Sequence, residues 1–207
     1  MSFSLQVEPE HYFRKGYLTK DRWINYWYQF HYIRECHPKN LLEIGVGNGF
    51  LTLVLEKIGI PVTTIDIDER LNPSIVGSVR NLPLPDASYD FIVCAEVLEH
   101  LPFTEAEEAL RELYRVSSKW VLITVPHSGY VFSLIFKYPL LSWKYLSWKL
   151  PHFWKRHRFQ GEHYWELGKR GWSRKRLEKA ILAAGLVIQS SVIHADDPAH
   201  VFYLCQK

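Results

Sequence analysis

The chain has 207 residues, nearly half of them apolar, with 25 Lys and Arg against 22 Asp and Glu and a formal net charge of +3. That length suits one domain with its own core, and the near-balanced charge removes any demand for a nucleic-acid partner. Cys36, Cys94 and Cys205 are odd in number and far apart, which argues against a disulfide framework or a C-x-x-C metal site and for a reducing cytoplasm. The opening "MSFSLQVEPEHYFRKG" has no basic-then-apolar leader pattern, and no run of about 18 apolar residues is present, so a cytoplasmic protein without a spanning helix is expected.

In chain order, "DRWINYWYQFHYIREC" places Trp23, Trp27 and Phe30 beside Ile24, Tyr28 and His31 at three-to-four spacing, which predicts a helix with a broad apolar face, stopped by Pro38. "NLLEI" reads as a buried strand and "GFLTLVLEKIG" as a helix closed by Gly59. "PVTTIDI" is a second strand, "SIVGSV" a short third, and "SYDFIVCAE" a fourth after the turn-rich "NLPLPDAS". Thr104 with Glu107 predicts a capping box for the helix "EAEEALRELYRV". "KWVLITV" is a fifth strand, stopped by Pro126. Ser173 caps the helix "RKRLEKAILAAG", which Gly185 ends, and "LVIQSSVIH" and "HVFYLCQK", joined by "ADDPA", form an antiparallel hairpin. The alternation predicts an α/β fold: a doubly wound, mainly parallel, seven-stranded Rossmann-like sheet with helices on both faces and an antiparallel C-terminal hairpin. A single domain over 1–207 is expected, with an N-terminal helical segment at 1–38, a core at 39–126, an aromatic insert at 127–172 and a C-terminal helix and hairpin at 173–207.

The stretch "LLEIGVGNGF" ends the first strand and opens a helix, the place where doubly wound sheets bind ligands. Gly45 allows the sharp turn, Gly47 a close ligand approach, and Gly49 close helix–strand packing. The third glycine falls at the fifth position of the motif, so this is not the dinucleotide pattern G-x-G-x-x-G. Asp66 ends the second strand about 20 residues after the first glycine, where a carboxylate meets ribose hydroxyls. Glu43 beside the loop suits a cationic ligand better than a phosphate.

"LLEIGVGNG", "TIDID" and "VRNLPLPDASYDFIVCAEVLEHLP" together resemble the class I S-adenosylmethionine-dependent methyltransferases, nearest the group acting on small molecules, quinones or lipids. The resemblance is close over residues 40 to 126. It implies S-adenosylmethionine as cofactor, with Glu43, Gly45, Gly47 and Gly49 around its methionine half. It further implies Asp66 on the ribose, Ile67 beside the adenine, Ser78 and Val79 at the adenine edge, and Glu96 near the methionine portion. Ser78 departs from the family, which usually carries an acid there; a serine accepts a hydrogen bond more weakly. The fourth strand ends in "CAEVLEH" and lacks the Asn/Asp-Pro-Pro-Tyr/Phe signature of amino-methyltransferases, which disfavours DNA as acceptor.

Methyl transfer from a sulfonium demands alignment first and a base only if the acceptor must lose a proton. His127, after Pro126, and His163, in "GEHYWE", are the candidate catalytic residues. His100 reads as structural and Cys94 as core; no metal is expected. In the insert, Leu141, Tyr145 and Trp148 fall on one helical face and Trp143, Leu146 and Leu150 nearly opposite, a pattern that closes the domain over its core, covers a large apolar acceptor, or touches a membrane over 131–158. Basic runs around Lys155–Arg158 and Lys169–Lys179 read as solvated faces, with RNA phosphate or anionic headgroups as the functional alternative. The expectation is methyl transfer to a small or lipid-like acceptor, with RNA methylation or a non-catalytic cofactor-binding module as alternatives; nothing in the sequence sets the oligomeric state.

Overall fold

The computed structural model describes residues 6–137, 139–140, 142–159 and 161–207. Strands β1 (Leu41–Ile44), β2 (Val62–Asp66), β3 (Ile75–Val76), β4 (Tyr89–Ala95), β5 (Ser117–Pro126), β8 (Val187–Val192) and β9 (His200–Gln206) form one sheet in the order β3-β2-β1-β4-β5-β9-β8. Pairings from β3 to β5 are parallel and those of β9 with β5 and β8 antiparallel. The expected seven-stranded architecture is therefore present, and β1 and β4 diverge at the switch point of the strand order.

Period-two alternation divides the core between the two faces. Leu41, Phe91, Val93, Leu122 and Phe202 pack toward helices α1 (Lys20–Cys36) and α2 (Phe50–Lys57). Leu42, Ile44, Ile92, Val121 and Ile123 pack toward α3 (Phe103–Val116) and α4 (Arg174–Ala183). Val121 through Val125 are buried without interruption, as a central strand covered on both faces requires.

Three local expectations are corrected. Helix α1 buries Asn25, Tyr28, Gln29 and Ile33, while Trp23 and Trp27 stay about half exposed. A polar network holds this face: the Asn25 amide donates to Asp197 at 3.0 Å, and Gln29 donates to Asn25 at 2.6 Å. Trp23 instead lies edge-on to Phe50 at 4.4 Å. Helix α3 starts after Pro102, whose fixed φ sets the first turn, so Thr104 sits inside the helix and makes no cap. Ser173, in contrast, caps α4 by accepting from the Arg176 N–H at 3.3 Å.

The third correction concerns the insert, which is not helical. Strands β6 (Gly129–Phe136) and β7 (Lys144–Pro151) pair antiparallel as a separate two-stranded ribbon. The run of Leu, Tyr, Trp, Val, Ile and Phe has the β-branched and aromatic content that favours strands. Its apolar residues occur on both parities, which a helical wheel misreads as two opposite stripes. Of the residues in that helical reading, Leu141 lies outside the described residues.

Candidate functional site

A cavity of about 390 Å³ opens beyond the carboxyl ends of β1, β2 and β4, within the size range of small-molecule sites. Of the residues expected around the cofactor, Glu43, Gly45, Gly47, Asp66, Ile67, Ser78, Val79 and Glu96 all line it. Gly49 does not. It stands at the N-cap of α2 with φ +69°, a left-handed conformation that starts the helix.

Gly45 has φ +82°, and a Cβ there would meet Val97 Cγ2 at 2.7 Å, so both backbone and space require glycine. Asp66 ties the loop to the second strand: its Oδ2 accepts from the Val46 N–H at 2.8 Å and its Oδ1 from the Asp68 N–H at 2.9 Å. Each oxygen keeps a lone pair for a further donor. Glu43 lies beneath the loop, buried, accepting from the Thr52 hydroxyl. Burial outweighs that bond and, with Asp66 nearby, pushes its carboxyl up to about 7.

Glu96, the residue after β4, sits in the left-handed region at φ +55°, an uncommon conformation for a side-chain-bearing residue. Its Oε1 accepts from the Thr124 hydroxyl at 2.9 Å, and its Oε2 lies 3.3 Å from His200 Nε2. His200 Nδ1 is 2.6 Å from Asp197, which the Asn25 amide holds in turn. Burial opposes charge on Glu96, but His200, Arg22 and Thr124 outweigh it and draw its carboxyl well below the usual range. Burial likewise opposes the His200 imidazolium, yet Glu96 and Asp197 raise it to about 10. Glu96 therefore reaches the cavity as an ionised carboxylate held from behind by a protonated histidine.

Glu99, in the short 3-10 turn Leu98–His100, is fully buried, lines the cavity, and has neither carboxylate oxygen hydrogen-bonded. Burial and the neighbouring Glu96 raise its carboxyl well above the usual carboxylate range. His100 and His163 meet edge to face beside it, ring centroids 4.8 Å apart, both shifted down by burial and so uncharged at neutral pH. The ligand atoms of Glu99, His100 and His163 lie within 4.8 Å of one another, a carboxylate and imidazole donor set of the kind divalent cations take.

The two candidate bases part company. His163 lines the cavity; His127 does not. The His127 N–H donates to Ala199 O at 2.7 Å, its carbonyl accepts from Lys149 Nζ at 2.5 Å, and its ring packs under Gly168. Burial and Lys149 push its ring down to about 4, so it stays neutral inside the fold. Sequence reasoning missed the roof of the site. His11, Tyr12 and Tyr17 line it from the N-terminal segment, and Tyr12 Cδ1 and Tyr17 OH close over Gly47, 3.6 and 3.7 Å from where a Cβ would stand. Arg22 is the sole Lys or Arg among the lining residues, against Glu43, Asp66, Asp68, Glu96, Glu99 and Glu162. That acidic wall fits a cationic nucleoside and opposes a pyrophosphate.

Residues 42–120 match the methyltransferase domain family. A probable S-adenosylmethionine-dependent methyltransferase of Mycolicibacterium smegmatis is 29% identical over 108 residues, 44% of this chain and 41% of that protein. A ubiquinone biosynthesis O-methyltransferase of Hydrogenovibrio crunogenus is 27% identical over 84 residues, 33% of this chain and 35% of that one. The chain thus spans about two-fifths or less of the length of these curated relatives. The solved S-adenosylmethionine-dependent methyltransferase of Aquifex aeolicus superposes with a TM-score of 0.63 at 19% identity, covering 97% of this chain and 98% of that one. Residues 42–120 thus carry a methyltransferase domain, on the fold shared with solved S-adenosylmethionine-dependent methyltransferases.

Proposed function

We propose that the chain transfers a methyl group from S-adenosylmethionine to a small or lipid-like acceptor that enters the cavity past His100 and His163. The observation that carries this reading is the cavity itself: a left-handed glycine turn on one side, a wall of carboxylates with one arginine on the other, and a tyrosine roof.

In this reading the Gly45–Gly47 backbone gives close approach to the methionine half. Asp66 takes the ribose hydroxyls on its remaining lone pairs, Ile67 packs beside the adenine, and Ser78 and Val79 border its edge. Glu43 and Glu96 face the cationic portion. The bound cofactor supplies a methyl group activated by the sulfonium. The protein's share is to align the acceptor, exclude water with Tyr12 and Tyr17, and hold a proton acceptor at the mouth. His163 is the residue for that last role: it is neutral, lines the cavity and is free of the packing that fixes His127. The relative named for ubiquinone biosynthesis supports an apolar acceptor with an ionisable oxygen.

The test is turnover of labelled S-adenosylmethionine against a panel of phenolic, quinol and isoprenoid acceptors. Transfer to at least one of these, lost with Asp66→Ala, is the expected result. Cofactor binding with no transfer to any acceptor class would instead favour a cofactor-binding module.

A further inference from the structure

The β6–β7 ribbon presents an unusual surface. In the antiparallel register, Tyr130 pairs with Leu150, Phe132 with Trp148, Leu134 with Leu146 and Phe136 with Lys144, so these residues share one face. On that face Tyr130, Phe132, Leu134, Phe136, Leu146 and Trp148 are each 44–64% exposed. They form an apolar stripe roughly 20 Å long at the usual strand rise. The opposite face carries Val131 with Lys149, Ser133 with Ser147, and Ile135 with Tyr145. Lys149 ties that face to the body of the domain, donating to the carbonyls of His127 and Pro198. Val131, Ile135 and Tyr145 on that second face are themselves 38–49% exposed, so the ribbon is tied at its base and the apolar stripe lies open.

Charge shows what it meets. From Ser128 to Gly161 the sequence has no Asp or Glu, while Lys137, Lys144, Lys149, Lys155, Arg156 and Arg158 all fall within it. Apart from the tethered Lys149, these cations are exposed around the ribbon, with Lys155 lying over the Tyr130 ring at 5.5 Å. An exposed apolar stripe edged by cations and free of anions is complementary to a bilayer interface with anionic headgroups. Tyr and Trp on such a stripe suit the headgroup level. A two-stranded ribbon has unpaired edges and cannot cross hydrocarbon, so it lies in the interface plane.

We infer that the β6–β7 ribbon docks the protein on an anionic membrane surface, with Phe132, Leu134, Leu146 and Trp148 entering the acyl boundary and the flanking Lys and Arg side chains meeting headgroup phosphates. This inference stands on the ribbon alone, although it gives the proposed lipid-like acceptor a source. A second hollow of about 340 Å³, lined by Arg156, His157, Arg158 and Lys169, shares Glu162 and His163 with the cofactor cavity. Glu166, paired with Lys169 at 2.6 Å, completes its lining.

The experiment is sedimentation of the full chain with vesicles of phosphatidylcholine alone and with roughly one-third phosphatidylglycerol. S-adenosylhomocysteine binding is measured in parallel to report on the fold and the cofactor site. The expected result is binding to the anionic vesicles, at least about tenfold weaker to neutral ones. Phe132→Ser/Trp148→Ser and, separately, Lys155→Glu/Arg158→Glu each weaken it about tenfold, with cofactor binding unchanged. No sedimentation with anionic vesicles by protein that binds S-adenosylhomocysteine would overturn the inference. So would vesicle binding unaffected by Phe132→Ser/Trp148→Ser, or a stable dimer in the ultracentrifuge that this variant alone dissociates.

Discussion

Among individual residues, Glu43 offers the most direct chemical test of the site. Its carboxyl lies near 7 because burial and Asp66 disfavour the charge. A cationic ligand favours the ionised form, so S-adenosylmethionine binds more tightly as pH rises from about 6 to 8, with release of a proton. Calorimetry in buffers of different ionisation enthalpy reads that proton directly. Glu43→Gln flattens the pH dependence; an unchanged profile in this variant would remove Glu43 from the cationic contact. The two histidines give a second comparison. His163→Ala lowers kcat by roughly 10²–10⁴-fold if the acceptor must lose a proton, with little change in cofactor affinity. His127→Ala leaves the rate near wild type and lowers the melting temperature, since its ring packs against Gly168 outside the cavity. Stopped assays and thermal unfolding on both variants separate the roles, and the reverse pattern would exchange them.

At the scale of elements, the Glu96–His200–Asp197 chain joins the end of β4 to β9 and, through Asn25, to α1. Removing one partner of such a buried pair costs about 3–5 kcal/mol. His200 is raised from 6.5 to about 10 on folding, so its contribution is complete below about pH 6.5 and is lost as pH rises through 10. Glu96 is lowered, so its side of the same interaction is present above the ordinary carboxylate range and is lost as pH falls further. The stability gap between wild type and His200→Gln is therefore widest near pH 5–6 and narrows toward pH 10, as urea unfolding across pH would show. A gap independent of pH would mean that His200 is not charged in the fold.

The elements also show what the sequence made legible. The parallel core was readable because continuous apolar runs, glycine punctuation and period-two burial all agree from Leu41 to Val125. The cavity lining followed because its residues lie at strand ends, whose positions the pattern sets. Asp197 and His200 were hidden, since, beyond each other, their partners Asn25 and Glu96 are distant in sequence and no local spacing marks them. The tyrosine roof was hidden because no local spacing links Tyr12 and Tyr17 to the glycine turn. The ribbon was misread because apolar residues at both parities imitate a two-sided helix, and only the pairing of Phe132 with Trp148 resolves it.

For the molecule as a whole, charge is unevenly placed. Six carboxylates and one arginine line the cavity, while cations without carboxylates flank the ribbon. No helix among the described residues is long and apolar enough to cross a membrane, so the apolar surface that stands out is the ribbon. A small-molecule or lipid-like acceptor predicts no appreciable RNA affinity at 150 mM salt. A steep salt-dependent affinity for structured RNA would instead assign the basic margin to phosphate backbone. The central claim remains the cofactor site, and calorimetric titration with S-adenosylhomocysteine and S-adenosylmethionine tests it most directly. The predicted result is one-to-one binding weakened by roughly 30-fold or more in Asp66→Ala, through lost charge-assisted hydrogen bonds, in a variant that still unfolds cooperatively. Folded wild-type protein that binds neither compound would contradict the account.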